Sequence, residues 1–234
     1  LAAPIYVDKT MMIQQMNRFI DEGNKFICVS RPRRFGKTMA QNMLCAYYSK
    51  GCDSRKLFEK LKISQTEGFE SKLNRLNVIK IDLNSEYQIT EDKNNLIKVI
   101  TEEIKKEMRK EYPQIEFEDS DTLARCILNV YRETGETFII LIDEYDVLVR
   151  EQVSSALFDS YLSFLNGLFK SDTLRPAISL AYITGILPVV RDRVQSKLNS
   201  FEEYTVLDAG ELAEYVGFTE QEIKMLERSI ERKE

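Results

Sequence analysis

Apolar residues along this chain alternate between two spacings. Over residues 11–22, Met12, Met16, Phe19 and Ile20 recur at helical intervals and Gly23 ends the run, which predicts a helix. Residues 25–30 form an apolar run of strand type, followed by a helix over about 39–49. A polar stretch with mixed short helical signals fills 51–75. After it, Val78-Ile-Lys-Ile-Asp82-Leu-Asn84 alternates enough to predict a strand near a sheet edge or beside a groove. Helices are expected over about 91–112 and 121–133, the first dense in Glu and Lys at spacings that pair across a turn. Phe138 to Ile142 is continuously apolar, as in a central parallel strand buried on both faces. A helix over about 154–169, with Ala156, Leu157, Tyr161, Phe164, Leu165 and Leu168 on its inner side, leads to a third strand over 177–185. Beyond Tyr204 the chain turns acidic and helical over 210–215 and 219–232, and Thr219 with Glu222 reads as a capping box. This order predicts an α/β fold with a central, mostly parallel sheet between helical layers, and a helical extension at the C-terminal end. The expected division is 1–205 for the α/β unit and 206–234 for the start of the extension. The last helical pattern reaches Glu234 with no stop signal, so the natural protein is expected to continue.

Two strand ends carry chemistry. The first strand breaks into Arg31-Pro-Arg-Arg-Phe-Gly-Lys-Thr-Met39, a basic loop ending in Gly36-Lys37-Thr38 and opening a helix. That is the layout of a phosphate-binding loop. Gly36 lets the backbone approach a phosphate, Lys37 supplies a point charge to the β- and γ-phosphates, and the Thr38 hydroxyl suits a magnesium ion. The helix N-terminus also favours an anion. Arg31 occupies the place of the first glycine of the usual G-x-x-x-x-G-K-[ST] pattern; with Arg33 and Arg34 it adds positive charge, while Pro32 stiffens the loop.

The second is the apolar strand ending in Asp143-Glu144-Tyr-Asp146. Carboxylates there lie at the crevice where open α/β sheets bind ligands. Asp143 is expected to hold magnesium, and Glu144 to polarise the water that attacks a γ-phosphate. The third strand closes on Thr184-Gly185. In a sheet of this type Thr184 lies between the acidic strand and the phosphate loop, placed either to sense a γ-phosphate or to satisfy its own turn. Arg191 and Arg193 follow, each a candidate phosphate contact or surface ion pair. Asp82 is a further polar group at a strand end.

Composition narrows the alternatives. The 234 residues are 43% hydrophobic and 30% charged, with no apolar run near the ~20 residues a membrane span needs. A net charge of −5 argues against general nucleic-acid binding, and a triphosphate accounts for the local arginine cluster more simply. With no histidine, and with Cys28, Cys45, Cys52 and Cys126 forming no Cys-x-x-Cys pair, the usual zinc sites and His-dependent nucleophilic schemes are not expected. Residues 1–6 have neither the charged start nor the apolar core of a signal peptide, so a cytoplasmic location is expected.

The segments Tyr6-Val-Asp-Lys-Thr10, Arg31-Pro-Arg-Arg-Phe-Gly-Lys-Thr38, Ile142-Asp-Glu-Tyr-Asp146, Thr184-Gly-Ile-Leu-Pro188 and Gly217 to Glu222 resemble the AAA-ATPase-like family of bacterial and archaeal proteins. Its members commonly carry a PD-(D/E)XK nuclease-type domain after the ATPase part. Arginine in place of the first glycine is a habit of that family. The resemblance implies a P-loop NTPase three-layer sandwich with ATP and Mg2+ as cofactors. The implied nucleotide contacts are Arg31, Arg33, Arg34, Phe35, Gly36, Lys37, Thr38, Met39 and Thr184, with Thr38 and Asp143 as metal ligands. Glu144, Lys37 and Arg191 are the implied catalytic set. The nuclease motif itself does not occur here. The expected activity is ATP hydrolysis that regulates a C-terminal effector, possibly nuclease-type, beyond this chain, in a protein that can oligomerise. A non-hydrolysing nucleotide-gated switch or scaffold, and a DNA-handling module acting through the full-length protein, are the alternatives.

Overall fold

The computed structural model describes residues 7–188 and 198–231. Helix α1 (Met11–Glu22) leads into β1 (Phe26–Ser30), and α2 (Lys37–Tyr48) follows the basic loop. A short helix α3 (Arg55–Phe58) occupies the polar stretch before β2 (Asn77–Asp82). The Asp82 side chain then accepts from the Ser85 amide and starts α4 (Leu83–Ile89), so the strand pattern stops at Asp82. Helices α5 (Leu96–Glu111) and α6 (Leu123–Thr134) precede β3 (Phe138–Asp143). One helical turn, α7 (Val147–Arg150), and α8 (Ser155–Phe169) separate it from β4 (Ile178–Gly185). Strand β5 (Glu202–Tyr204) and α9 (Glu220–Glu231) complete the described chain.

The five strands form one parallel sheet in the order β2-β3-β4-β1-β5. Alternate residues of each strand divide the core in two. Ile140 and Ile142 of β3 pack with α5, α6 and α8, whereas Ile139 and Leu141 pack with α1 and α2. The result is three layers, with β2 at one edge. All six β3 residues are buried, which explains their unbroken apolar character. Truncating Ile140 to alanine there costs about 2–5 kcal/mol. On α8 the inward side includes Leu157, Tyr161, Leu165 and Leu168, while Ala156 faces out, the apolar stripe lying slightly off its expected angle.

The C-terminal segment folds back onto the body. Leu212 and Val216 enter the α1/α2 side of the core, and Lys9 forms an ion pair with Glu222 at 2.7 Å. The capping box forms as expected: the Thr219 amide donates to Glu222 Oε2 at 2.8 Å, and the Glu222 amide donates to Thr219 Oγ1 at 3.3 Å. The segment around 210–215 forms one 3-10 turn, Gly210–Leu212.

Candidate functional site

The C-terminal ends of β1, β3 and β4 meet at one side of the sheet, and β4 lies between the other two. Beyond β1 the Arg31 amide donates to the Gly185 carbonyl at 3.1 Å, so the loop leaves tied to the end of β4. The chain turns through left-handed conformations at Arg34 (φ 70°) and Gly36 (φ 78°) before α2 begins. Helix α2 has no side-chain cap and no acid in its first turn, so its leading amides and dipole are free to meet an anion. Lys37 folds back across the loop, donating from Nζ to the carbonyls of Arg31 at 2.8 Å and Pro32 at 2.9 Å. It is 8% exposed. Burial pushes its ammonium below the ordinary lysine range, while the charges of Asp143, Glu144 and Asp146 oppose that push and the charge of Arg150 adds to it.

Opposite the loop, Asp143 is 2% exposed and shares its two carboxylate oxygens among three donors. Thr38 Oγ1 donates to Oδ2 at 2.5 Å, and both Thr184 Oγ1 and the Glu144 amide (3.0 Å) donate to Oδ1. Gln41, one turn beyond Thr38 on α2, donates from Nε2 to Thr184 Oγ1 at 3.1 Å. Thr38, Asp143, Thr184 and Gln41 therefore form one chain joining α2, β3 and β4. Thr184 lies where its position between strands predicts, with its hydroxyl proton directed to Asp143.

Next to Asp143 the backbone takes an unusual course. Glu144 has φ 52°, a left-handed conformation that a non-glycine residue adopts at a cost of order 1–3 kcal/mol. The turn is over-determined by its neighbours. The Tyr145 amide donates to the Thr184 carbonyl at 2.9 Å, and the Tyr145 hydroxyl donates to the Leu187 carbonyl at 2.6 Å. Asp146 Oδ2 accepts from the amides of Ile186 at 3.1 Å and Leu187 at 2.9 Å. Gly185 lies against this turn so closely that a Cβ there would come within 2.6 Å of Tyr145 Cε1. Arg150 closes the group: its Nη2 lies 2.5 Å from Glu144 Oε2, and its Nε 3.3 Å from Asp146 Oδ2.

The remaining residues singled out in the sequence separate by exposure. Arg33, Arg34, Gly36 and Thr38 lie on the exposed side of the loop, as do Phe35 and Met39. Phe35 touches the C-terminal segment, where a Cβ on Gly217 would come within 2.9 Å of its ring. Arg31 turns inward, is 6% exposed, and its Nε makes no hydrogen bond among the described residues. Burial lowers the proton affinity of its guanidinium, and the nearby Tyr182 works the other way. Asp82 is engaged in capping α4. Arg191 and Arg193 lie outside the described residues. Sequence reading assigned no role to Gln41, Asp146 or Arg150. The available signals were helical spacing: Gln41 follows Thr38 by three, and Arg150 follows Asp146 by four.

Among the described residues, no group of three or more His, Cys, Asp or Glu side chains could hold a metal ion. Thr38 Oγ1 and Asp143 Oδ2 nevertheless converge within hydrogen-bond distance as hard oxygen donors. That pair fits magnesium, which binds through one or two protein oxygens and completes its shell with phosphate and water.

A parallel sheet whose first strand feeds a Gly-Lys-Thr loop, one strand removed from a buried strand ending in Asp-Glu, defines an α/β fold of the P-loop NTPase class. A family model described as predicted AAA-ATPase matches residues 2–195, and the chain belongs to that AAA-ATPase-like family. Membership implies nucleotide binding. No curated protein matches the chain. Among solved structures it is similar to the ORC2 protein of Aeropyrum pernix, determined as ADPNP-ADP complexes, at 9% identity and a TM-score of 0.40. That match covers 86% of this chain and 49% of the other, so the chain spans about half the length of that protein. The likeness is distant. No helix among the described residues is long and apolar enough to cross a membrane.

Proposed function

We propose that the chain is a magnesium-dependent ATPase unit, residues 1–205, whose nucleotide cycle regulates a C-terminal effector through the segment that begins at 206. The observation that carries this reading is the contact between Thr38 and Asp143, which joins the loop side of the site to the acidic side. Lys37 and the first amides of α2 bind the phosphates, and Arg33 and Arg34 add charge from the rim. Thr38 and Asp143 hold the magnesium ion, which when bound neutralises charge on the phosphates. Glu144 orients the attacking water and takes its proton, and Thr184 keeps Asp143 in place. The contact between Phe35 and Gly217 supports a path from the loop to the C-terminal segment.

A second reading, a nucleotide-gated switch that hydrolyses ATP negligibly, draws on the ion pair that engages Glu144. Phosphate release separates the two. The ATPase reading requires magnesium-dependent release that Glu144→Gln lowers at least a hundredfold while ATP is still bound. Bound ATP with no release from the wild-type protein would favour the switch.

A further inference from the structure

Arg150 is tied to the acid that the proposed reaction needs most. Its Nη2 donates to Glu144 Oε2 at 2.5 Å, and its Nε approaches Asp146 Oδ2 at 3.3 Å. The side chain is only 16% exposed, and Nε makes no aligned hydrogen bond among the described residues. Its charge acts on Lys37, the residue proposed to meet the β- and γ-phosphates. Three carboxylates, those of Asp143, Glu144 and Asp146, and two cations, Lys37 and Arg150, thus share one electrostatic field at the end of β3.

We propose that Arg150 exchanges partners during the nucleotide cycle, pairing with Glu144 in the arrangement described here and moving to the γ-phosphate of bound ATP. This rests on the hydrolysis reading above. A guanidinium matches two phosphate oxygens with two parallel N–H bonds, and phosphate carries more charge than one carboxylate, so the γ-phosphate is a strong competitor for Arg150. Asp146 makes the exchange local. Two backbone amides fix this buried acid, and it stays beside Nε as a pivot while the outer nitrogens change partner.

The exchange also releases Glu144. While Arg150 holds Oε2, one lone pair of that oxygen is taken and the carboxylate is directed to the guanidinium rather than to an attacking water. Once freed, it takes one proton from the attacking water as the new bond to the γ-phosphorus forms and the bond to the bridging oxygen breaks, leaving ADP and inorganic phosphate. A triphosphate thereby switches on its own base, whereas ADP, having no γ-phosphate, leaves the pair intact.

The test compares affinities for Mg·ATP and Mg·ADP, and turnover, in the full chain and its Arg150→Ala, Arg150→Lys and Glu144→Gln variants. Arg150→Ala is expected to keep ADP affinity within about twofold, lower the preference for ATP over ADP about tenfold, and reduce kcat by about 100-fold, below the 10³–10⁵-fold range of dedicated arginine fingers. Arg150→Lys recovers part of the loss. Glu144→Gln, which removes the competing carboxylate, raises the preference for ATP several-fold even though it stops hydrolysis, and it tests the exchange independently if Arg150→Ala does not fold. An unchanged ATP-to-ADP ratio in Glu144→Gln, or in a folded Arg150→Ala, overturns the exchange. Faster turnover in Arg150→Ala overturns it too, because Arg150 would then act only as a brake. Wild-type protein that binds neither nucleotide refutes the ATPase reading itself, and that result is seen before any variant is compared.

Discussion

Replacing Asp146 with alanine is expected to damage the fold more than its position in a turn suggests. The side chain is 1% exposed, and its Oδ2 accepts from the amides of Ile186 and Leu187. Alanine leaves both donors without that acceptor, and an orphaned donor costs about 1–3 kcal/mol when fully buried. Ile186 and Leu187 are half-buried, so water recovers part of the loss and the pair is expected to cost about 2–4 kcal/mol. Arg150 keeps Glu144 as a partner and adds little. For a chain of this size each kcal/mol moves Tm by about 2–4 °C, so the expected drop is about 4–16 °C. Asp146→Asn separates geometry from charge. Its amide oxygen can accept from the same two amides, and Arg150 keeps Glu144 as a partner, so asparagine is expected to be less destabilised than alanine. Urea unfolding followed by circular dichroism, with the slope m compared across variants, reads these differences. An alanine variant within about 1 kcal/mol of wild type, or an asparagine variant as unstable as alanine, would refute the clamp.

Gly185→Ala is expected to cost about 1–3 kcal/mol, because its Cβ would press on the buried Tyr145 ring, which the Leu187 carbonyl holds in place; a variant as stable as wild type by thermal unfolding counts against that packing. At the far end of the sheet, hydrogen bonds from Lys50 and then Tyr112 hold the Glu136 carboxyl down at about 2, against an ordinary 4.5. A depressed carboxylate stabilises the fold above its unfolded value and loses that contribution as pH falls through its folded value. The stability gap between wild type and Glu136→Gln should therefore stay constant above about pH 5 and close between about 4.5 and 2. Glu136 is 44% exposed, so solvent limits the gap to about 1 kcal/mol or less; a gap that widens on acidification would contradict the assignment.

Strands β1, β3 and β4 were legible because both of their faces are covered, which leaves unbroken apolar runs, and β2 because an edge strand alternates. Strand β5, Glu-Glu-Tyr, carries no such signal: it is a strand because it pairs with β1, a tertiary fact. The helix expected from 91 begins at Leu96, because Asp92 first caps a 3-10 turn at Lys93–Asn95. Helix α2 starts at Lys37, two residues before the apolar spacing shows it, since Gly36 supplies the left-handed turn. In the site, Lys37, Thr38, Asp143 and Thr184 were readable because their chemistry sits at the ends of strands that can be recognised. Asp146 and Arg150 were not. Asp146 acts on amides forty residues away, and Arg150 acts on a glutamate whose backbone has turned left-handed.

Calorimetric titration of the chain with ATP and magnesium, beside Lys37→Ala, tests the central assignment most directly. The account predicts saturable binding to the wild-type protein, weakened at least tenfold in the variant, because Lys37 lies at the loop with its ammonium already partly desolvated. Equal binding by both proteins, or none by the wild type, would contradict the placement of the nucleotide on this loop.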